Sequence, residues 1–379
     1  MNSLNRRHVL QHLAAATASI GMPALAQSER RIVLGQSAAF SGPAAQLGIQ
    51  MNRGAKLYFD SVNAAGGVNG AQIELRTMDD MYEPDKCKAN TDALINKEEV
   101  FALFGYVGTP TSLAALPLVN QHKVPFFGPF TGAEALRDPF SRHVFHVRAS
   151  YYDETALIVK QLTSLNLKKI AIFRQNDSYG QAGYDGVVRA LKALNLEPVG
   201  VGLVERNTVA VESAVQAIVP QQPDAVVQIS AYKSCAAFIR EARKAGYGGT
   251  FYNVSFVGTQ ALADELGRQA MGVVVSQVMP FPFSLTTPLS REYLAAVQKA
   301  GGDNKPNYSS MEGYVAAKLF IEGLRRAGRA PSRDALINGL ESVQSLDLGG
   351  FVVGYGGKSH VASRFVDLSM LTDDGRVRV

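Results

Sequence analysis

The sequence predicts an α/β protein built from two similar lobes, each with a parallel β-sheet between layers of helices. Three observations support this prediction. The chain has 379 residues, which is enough for more than one folding unit of ordinary size. Short apolar runs, typical of buried strands, alternate along it with amphipathic helical patterns. The alternation occurs twice, once before about residue 149 and once after it.

In the first half, apolar runs predict four strands, with three helical patterns between them. The first strand leads to a turn at Ser41-Gly42-Pro43. The first helical pattern ends at the glycine pair Gly66-Gly67, where helices often stop. The predicted strands are 31–35, 73–78, 100–104 and 124–127, and the predicted helices are 46–62, 85–97 and 111–121.

The second half repeats this order and then changes. The predicted helices are 154–165, 183–194, 211–219 and 233–245, and the predicted strands are 169–173, 198–204, 224–229 and 250–254. A strand-like run over 272–279, a proline-rich passage and two helices follow, up to residue 344. The tail has turn signals at Gly356-Gly357 and Asp374-Gly375, which predict paired strands. This change from alternating strands and helices to paired strands suggests that the chain crosses between the lobes more than once.

Residues 1–26 have the pattern of a secretory signal peptide. Arg6 and Arg7 precede a short alanine-rich apolar run, and a small-x-small tripeptide ends the segment at Ala26. The run is too short to span a bilayer, which takes about 20 apolar residues. We therefore expect cleavage near Ala26 and an exported protein that is not embedded in the membrane. The paired arginines leave the general secretory route and the twin-arginine route both open.

The composition excludes several classes of protein. Hydrophobic residues make up 46% of the chain and charged residues 19%, which excludes a disordered protein. Two cysteines are too few for a disulfide-rich scaffold or a four-cysteine zinc site. The 38 basic residues only slightly exceed the 33 acidic ones, so the charge does not indicate a nucleic-acid partner.

Catalytic motifs are absent from the sequence. It has no GxSxG elbow, no Walker loop and no GxGxxG after the first strand. His143 and His146 stand three apart in an alternating run, which puts them on opposite faces of a strand and is a poor arrangement for a metal. We therefore predict that the protein is not an enzyme and has no metal site and no cofactor.

Two loops rich in small and hydroxyl residues follow predicted strands, at 105–112 and 128–132. In α/β sheets, ligands bind beyond the carboxyl ends of the strands, and helix starts offer free N–H groups that suit a carboxylate. Thr109, Thr111 and Thr131 would add hydroxyl donors at this edge, together with Ser112. One such hydroxyl alone would be read as a helix N-cap. Two such loops after neighbouring strands predict a carboxylate-binding site.

The chain resembles the solute-binding proteins of ABC importers, in particular the type I family typified by the leucine/isoleucine/valine-binding protein. The resemblance runs from about Arg31 almost to the end of the chain. Its motifs are Ser41-Gly42-Pro43, the Ala64–Gly70 turn, the acidic strand end Asp79-Asp80 and the Gly105–Ser112 loop.

This resemblance implies the type I periplasmic binding fold, with two Rossmann-like lobes joined by a hinge of three segments. A small carboxylate-bearing solute (an amino acid, an amide, or an aromatic or other organic acid) would be clamped between the lobes and delivered to a membrane permease. The expected divisions are a signal peptide at 1–26, lobe I at 31–149 and 277–344, and lobe II at 150–276 and 345–379. We expect a monomer. The alternative function is a ligand sensor of the same fold that signals to a regulatory partner.

The resemblance also implies a set of ligand-binding residues drawn from both lobes: Thr109, Phe130, Thr131, Tyr151, Asp153, Tyr179, Tyr232 and Ser255. The hydroxyls of Thr109 and Thr131 and the backbone of Phe130 would bind the carboxylate. The tyrosines could instead be ordinary half-buried side chains.

Ser255 stands where the amino-acid binders of this family carry the acid that holds the ligand's ammonium group. An ion without a partner in a closed cleft costs several kcal/mol. Either Asp153 supplies that charge, or the ligand has no α-ammonium group, which would favour a carboxylate, an aromatic acid or an amide.

The two cysteines are predicted to lie in different lobes, Cys87 in lobe I and Cys235 in lobe II. A disulfide between them would lock a cleft that has to open and close. We therefore expect two free, buried thiols.

Overall fold

The computed structural model describes residues 30–379. The predicted signal peptide, residues 1–26, lies outside the described residues. The strands are β1 (Arg30–Ala38), β2 (Ala71–Asp79), β3 (Ala102–Phe104), β4 (Phe126–Phe127), β5 (Val144–Phe145), β6 (Ile170–Gln175), β7 (Gly200–Val204), β8 (Ala225–Ile229), β9 (Thr250–Asn253), β10 (Val274–Gln277), β11 (Leu346–Asp347), β12 (Val352–Val353), β13 (Asp367–Leu371) and β14 (Val377–Arg378). The helices are α1 (Ala45–Ala64), α2 (Pro84–Asn96), α3 (Thr109–His122), α4 (Tyr151–Ser164), α5 (Ser178–Lys192), α6 (Glu212–Ile218), α7 (Tyr232–Lys244), α8 (Thr259–Leu266), α9 (Pro288–Ala300), α10 (Tyr308–Ala327) and α11 (Arg333–Glu341).

Two sheets with the same core order organise these elements. The first has the order β2-β1-β3-β4-β5 and the second β14-β13-β10-β9-β8-β6-β7. Counted from its own first strand, each sheet follows the doubly wound order 2-1-3-4-5. In such sheets the crevice for a ligand opens where the order reverses, here between β1 and β3 and between β6 and β8. The fold is therefore the predicted α/β arrangement of two parallel sheets, extended in the second sheet by the antiparallel strands β13 and β14.

The strands at the centre of each sheet are apolar because helices cover both of their faces. All five residues of β8 are buried, as are all three of β3. Such continuous apolar runs are typical of parallel strands in doubly wound sheets. We call the first sheet with α1–α3 and α9–α11 lobe I, and the second sheet with α4–α8 lobe II; α1 packs against α10, and α4 packs against α5.

The chain passes between the lobes three times, over 146–150, 278–287 and 362–366. The last passage corrects the prediction that residues 345–379 lie together in lobe II. His146 N donates to the carbonyl oxygen of His360 at 2.7 Å, and Ala362 N donates to that of His146 at 2.9 Å. Residues 346–361 therefore lie beside β5 of lobe I, because they pair with its otherwise open edge.

The region between β10 and residue 344 contains three helices rather than the predicted two. The additional helix is α11, which has only nine residues. Ser332 caps its start: the Ser332 Oγ accepts a hydrogen bond from Ala335 N at 3.1 Å. A helix of this length gives little more than two turns of periodic pattern, which is a weak signal in the sequence.

Candidate ligand-binding cleft

The loops that follow β3 and β4 lie side by side. Thr109 Oγ1 and Thr131 Oγ1 are 2.7 Å apart, and both side chains are buried. Phe130 N donates to the Tyr106 carbonyl at 2.7 Å, and Gly108 N donates to the Phe130 carbonyl at 3.2 Å. These bonds extend the pairing of β3 and β4 past the ends of the strands. They also correct one expectation: the backbone of Phe130 is already hydrogen-bonded, so its contribution to a ligand site would come from its ring.

Aromatic side chains from both lobes close over these hydroxyls. Tyr151 OH lies 3.4 Å from Thr131 Oγ1, and the Tyr151 and Tyr179 rings are 5.5 Å apart. Phe256 packs 4.5 Å from Tyr179, and it also packs 5.6 Å from Phe130 across the cleft. The sequence analysis did not identify Phe256. Because rings of the two lobes touch, the structure describes a closed arrangement.

Tyr82 is a further cleft residue that the sequence analysis missed. Met81 and Tyr82 both have positive φ angles, 55° and 62°, and Asp80 Oδ1 accepts a hydrogen bond from Tyr82 N at 2.8 Å. This backbone directs the phenol ring into the cleft, where Gln175 Nε2 donates to its hydroxyl at 3.3 Å. A Cβ atom at Gly108, where φ is +103°, would lie 2.2 Å from Cε2 of Tyr82. Gly108 is therefore required for Tyr82 to enter.

Asp153 lies outside this cluster and acts as a helix cap. It is the third residue of α4, and Ser150 N donates to its Oδ2 at 3.1 Å while its own N donates to Ser150 Oγ at 3.2 Å. Its other oxygen lies 3.4 Å from Nη1 of Arg364, in the third passage between the lobes. Both carboxylate oxygens thus have partners away from the threonine hydroxyls.

The carboxylate that meets Ser255 belongs to Glu154. Ser255 N donates to Glu154 Oε2 at 2.7 Å and Ser255 Oγ to Oε1 at 3.0 Å. Ser276 Oγ adds a third hydrogen bond to Oε2 at 2.5 Å. Glu154 is fully buried, and this burial raises its pKa.

A buried ion pair, Arg148 with Glu312, lies next to Glu154. Arg148 Nε and Nη2 donate to the two oxygens of Glu312 at 2.8 and 2.7 Å, and the side chains are only 1% and 3% exposed. Phe130 covers the guanidinium, with Cζ 4.2 Å from the ring centre. Burial alone would lower the pKa of Arg148, but the Glu312 carboxylate raises it. We call Arg148, Glu154 and Glu312 the hinge cluster, since Arg148 lies in the first passage between the lobes.

A third set of polar contacts joins the lobes at the edge of the cleft. Arg206 Nη2 lies 2.8 Å from Glu83 Oε2 across the cleft, and Arg206 Nη1 lies 3.4 Å from Asp177 Oδ2 in its own lobe. Asn207 Nδ2 donates to Glu83 Oε1 at 2.7 Å. We call Glu83, Asp177, Arg206 and Asn207 the rim cluster.

The remaining candidate, Tyr232, lies at another point between the lobes. It begins α7, is buried, and its hydroxyl interacts with the backbone of Gln46 in α1. Cys87 and Cys235 are buried and form no disulfide, as the prediction of two free thiols has it. Burial raises the pKa of each thiol.

Two general features of residues 30–379 bear on function. Their His, Cys, Asp and Glu side chains form no group of three or more that could hold a metal ion. None of the helices in this part of the chain is both long enough and apolar enough to cross a membrane.

One motif could have identified Glu154 from the sequence. Ser150-x-x-Asp153 has the spacing of a capping box, in which the third residue bonds back to the N-cap. That motif fixes the start of the helix at Tyr151. Since successive helical residues are rotated by about 100°, it then turns Glu154, and not Asp153, toward the interior. No comparable signal exists for Arg148 and Glu312, which are 164 residues apart.

Comparison with known proteins agrees with this geometry. A model of the periplasmic binding protein family matches residues 31–376. Leu/Ile/Val-binding protein homolog 7 of Brucella suis biovar 1 is 26% identical over 367 residues, covering 92% of this chain and 90% of its own length. A possible leucine/isoleucine/valine-binding protein from Rhodopirellula baltica SH 1 has 35% identity and a TM-score of 0.89, over 92% of this chain and 96% of that one.

A substrate-binding periplasmic protein from Ralstonia solanacearum gives the same result. It has 30% identity and a TM-score of 0.87, over 91% of this chain and 99% of that one. These relatives are solute-binding proteins and not enzymes, in agreement with the sequence prediction. With its two doubly wound lobes and its match over nearly the whole described chain, this protein belongs to the periplasmic binding protein family.

Proposed function

We propose that this protein is the exported, periplasmic solute-binding component of an ABC importer. It clamps a small carboxylate-bearing solute between its lobes and delivers it to a membrane permease as a monomer. The observation that carries this proposal is the pair of buried hydroxyls, Thr109 and Thr131, 2.7 Å apart at the carboxyl ends of adjacent strands. Hydroxyl donors beside the start of α3 suit a carboxylate, and the aromatic rings around them suit an apolar remainder.

Closure follows from the arrangement of the two lobes. The solute binds to the loops of lobe I first, and lobe II then rotates about the three hinge segments until Phe256 meets Phe130. The solute shifts the equilibrium toward the closed form by its differential affinity for that form. The surfaces that the closed lobes present together are what the permease recognises.

Native mass spectrometry of the protein purified from its own periplasm tests this proposal. We expect a co-purified small acid in the wild type, and its loss in Thr131→Val, which removes one hydroxyl of the pair. Thr163→Val is the matched control, since Thr163 bonds only to carbonyls of its own helix, the nearer at 2.8 Å. Retention of the solute by a Thr109→Val/Thr131→Val double variant would contradict the proposed site. N-terminal sequencing of the purified protein is expected to find its first residue near Gln27.

A further inference from the structure

Three buried hydrogen-bond donors at the cleft have no partner among the described residues. They are Ser112 Oγ in the first turn of α3, Tyr179 OH in the aromatic cluster, and Arg148 Nη1 in the hinge cluster. A buried donor without an acceptor costs about 1–3 kcal/mol. Arg148 also lines a small cavity of about 10 Å³ with Phe130 and Ser255, room for about one water molecule or one ligand atom. The cleft therefore offers donors to a ligand.

The acids of the hinge cluster are already fully engaged. Glu154 accepts three hydrogen bonds from Ser255 and Ser276. Both oxygens of Glu312 accept from Arg148. Neither carboxylate can turn toward a ligand without breaking buried bonds, which would leave Arg148 without its partner.

The acids nearer the rim are occupied in the same way. Asp80 Oδ2 accepts from Ser37 Oγ at 2.8 Å, and its other oxygen accepts from Tyr82 N. Asp177 caps α5 by accepting from Tyr179 N at 2.9 Å and from the following N–H at 3.2 Å, and its second oxygen faces Arg206. With Glu83 of the rim cluster, which accepts from Arg206 and Asn207, these are the acids that the described contacts place around the cleft, and protein donors occupy the oxygens of each of them.

The unpartnered acceptors of the same region carry no charge. They are the amide oxygens of Gln228 and Asn253. The two residues are neighbours on β8 and β9, in direct register, and both are buried. Neutral amide oxygens can accept a hydrogen bond but cannot balance a positive ion.

The cleft thus has unpartnered donors, but its carboxylates are all occupied. We therefore propose that the solute is a carboxylate without a positively charged amine, that is, a deaminated aliphatic or aromatic acid and not an amino acid. The inference rests on the proposed function and narrows its solute class. An ammonium group enclosed in the cleft would find no carboxylate oxygen free to act as its countercharge, and leaving it unpaired costs several kcal/mol. The aromatic rings do not replace one, since Arg148 already covers Phe130, and the other rings pack against each other at 4.5 to 5.9 Å.

Calorimetric titration of the mature protein with matched probes tests the inference. The pairs are 4-methylpentanoate with leucine and 3-phenylpropanoate with phenylalanine, and glycine betaine is added as a quaternary amine. We expect at least one acid to bind and its α-amino counterpart to bind at least 30-fold more weakly. Equal or tighter binding of an amino acid, or binding of glycine betaine, would overturn the inference and leave the proposed function intact. If no probe bound, the carboxylate solute itself would be refuted, and this inference with it.

A substitution at Tyr179 tests the role of the unpartnered donors. In Tyr179→Phe we expect roughly tenfold weaker binding of the preferred acid and an unchanged melting temperature, because the lost hydroxyl has no protein partner. Tyr184→Phe is the control: Tyr184 lies on the same helix, where its ring meets Arg174. Unchanged affinity in Tyr179→Phe would show that its hydroxyl does not meet the solute and would overturn its assignment as a ligand donor.

Discussion

The hinge cluster and the rim cluster each contain an arginine–glutamate pair where the lobes meet, but the two pairs differ in exposure. Arg148 and Glu312 at the hinge are 1% and 3% exposed and form a two-bond pair. Arg206 and Glu83 at the rim are 24% and 39% exposed. Separating a buried pair leaves two charges in a low dielectric, whereas a half-exposed pair is readily replaced by water. Only the rim contacts therefore suit an interface that has to form and break.

The largest effect is expected from breaking the hinge pair. In Arg148→Met, Glu312 is left as a buried charge without its partner, so the free energy of unfolding should fall by about 3–5 kcal/mol. Urea denaturation measures this change. An Arg148→Met/Glu312→Leu double variant should recover most of the loss, because it removes both charges. A loss below about 1 kcal/mol in the single variant would place the hinge pair in the same class as the rim pair.

A pH-dependent effect of intermediate size is expected in the loop that carries Glu83. Burial raises the pKa of Asp80 to about 6. The folded protein therefore holds this proton more tightly than the unfolded chain does. The protonated Asp80 carboxyl group therefore stabilises the folded protein fully below about pH 4, and this stabilisation is lost as the pH rises through about 6. Asp80→Asn should remove up to about 3 kcal/mol of this pH dependence, measured by thermal or urea unfolding between pH 4 and 7.

The neighbouring residue Asp79 is the control for that experiment, with the opposite sign. Burial alone would raise the pKa of Asp79, but hydrogen bonds from Ser41 and from the backbone of Phe40 and Met81 lower it. Asp79→Asn should therefore lose stability at neutral pH, and the difference should vanish in acid. The same pH response in Asp79→Asn and Asp80→Asn would show that the pKa values of the two carboxyl groups are not shifted in opposite directions.

A smaller effect is expected from breaking the rim pair. Arg206→Gln should weaken solute binding by at most about 1 kcal/mol, or roughly fivefold, and less at high salt. Titrations at low and high sodium chloride, with small-angle scattering to follow closure, check this. Arg240→Gln is the control, since its pair with Glu265 is similarly exposed but lies within lobe II. An equal loss of affinity in both variants would show that the rim does not control closure.

The smallest effect is expected at the third passage between the lobes. Arg364 is mostly exposed, so Arg364→Gln should change stability by less than about 0.5 kcal/mol despite its 3.4 Å contact with Asp153. Asp153→Ala should cost about 1 kcal/mol through the lost cap of α4 and leave solute affinity unchanged. Loss of binding in Asp153→Ala would place that carboxylate in the cleft after all.

The fold could be predicted from the sequence because its signals are local. Buried parallel strands such as 225–229 form short apolar runs, and glycine pairs such as Gly66-Gly67 mark helix ends. The destination of residues 346–361 could not be predicted. Their strands have two residues each, and tertiary hydrogen bonds place them in lobe I, among them those with His146, more than 200 positions earlier.

The candidate site was predicted where one element alone determines position and was missed where two meet. Thr109 and Thr131 lie four or five residues beyond the ends of β3 and β4, so the end of each strand locates them approximately. Tyr82 reaches the cleft only because Met81 and Tyr82 both have positive φ angles. This conformation is uncommon for such residues and could not be predicted from the sequence. Phe256 enters the cleft by packing against Tyr179 and Phe130, and such tertiary contacts leave no periodic pattern.

The three passages between the lobes also set the order in which this protein can fold as it is synthesised. Lobe I needs α10, which packs on α1, and residues up to Val361, which pair with its edge. Lobe II needs β13 and β14, the last strands of the chain, to complete its sheet. Lobe I therefore cannot complete its edge before Val361 has been synthesised, and lobe II cannot complete its sheet before β14 has been. Contacts so distant in sequence also form slowly.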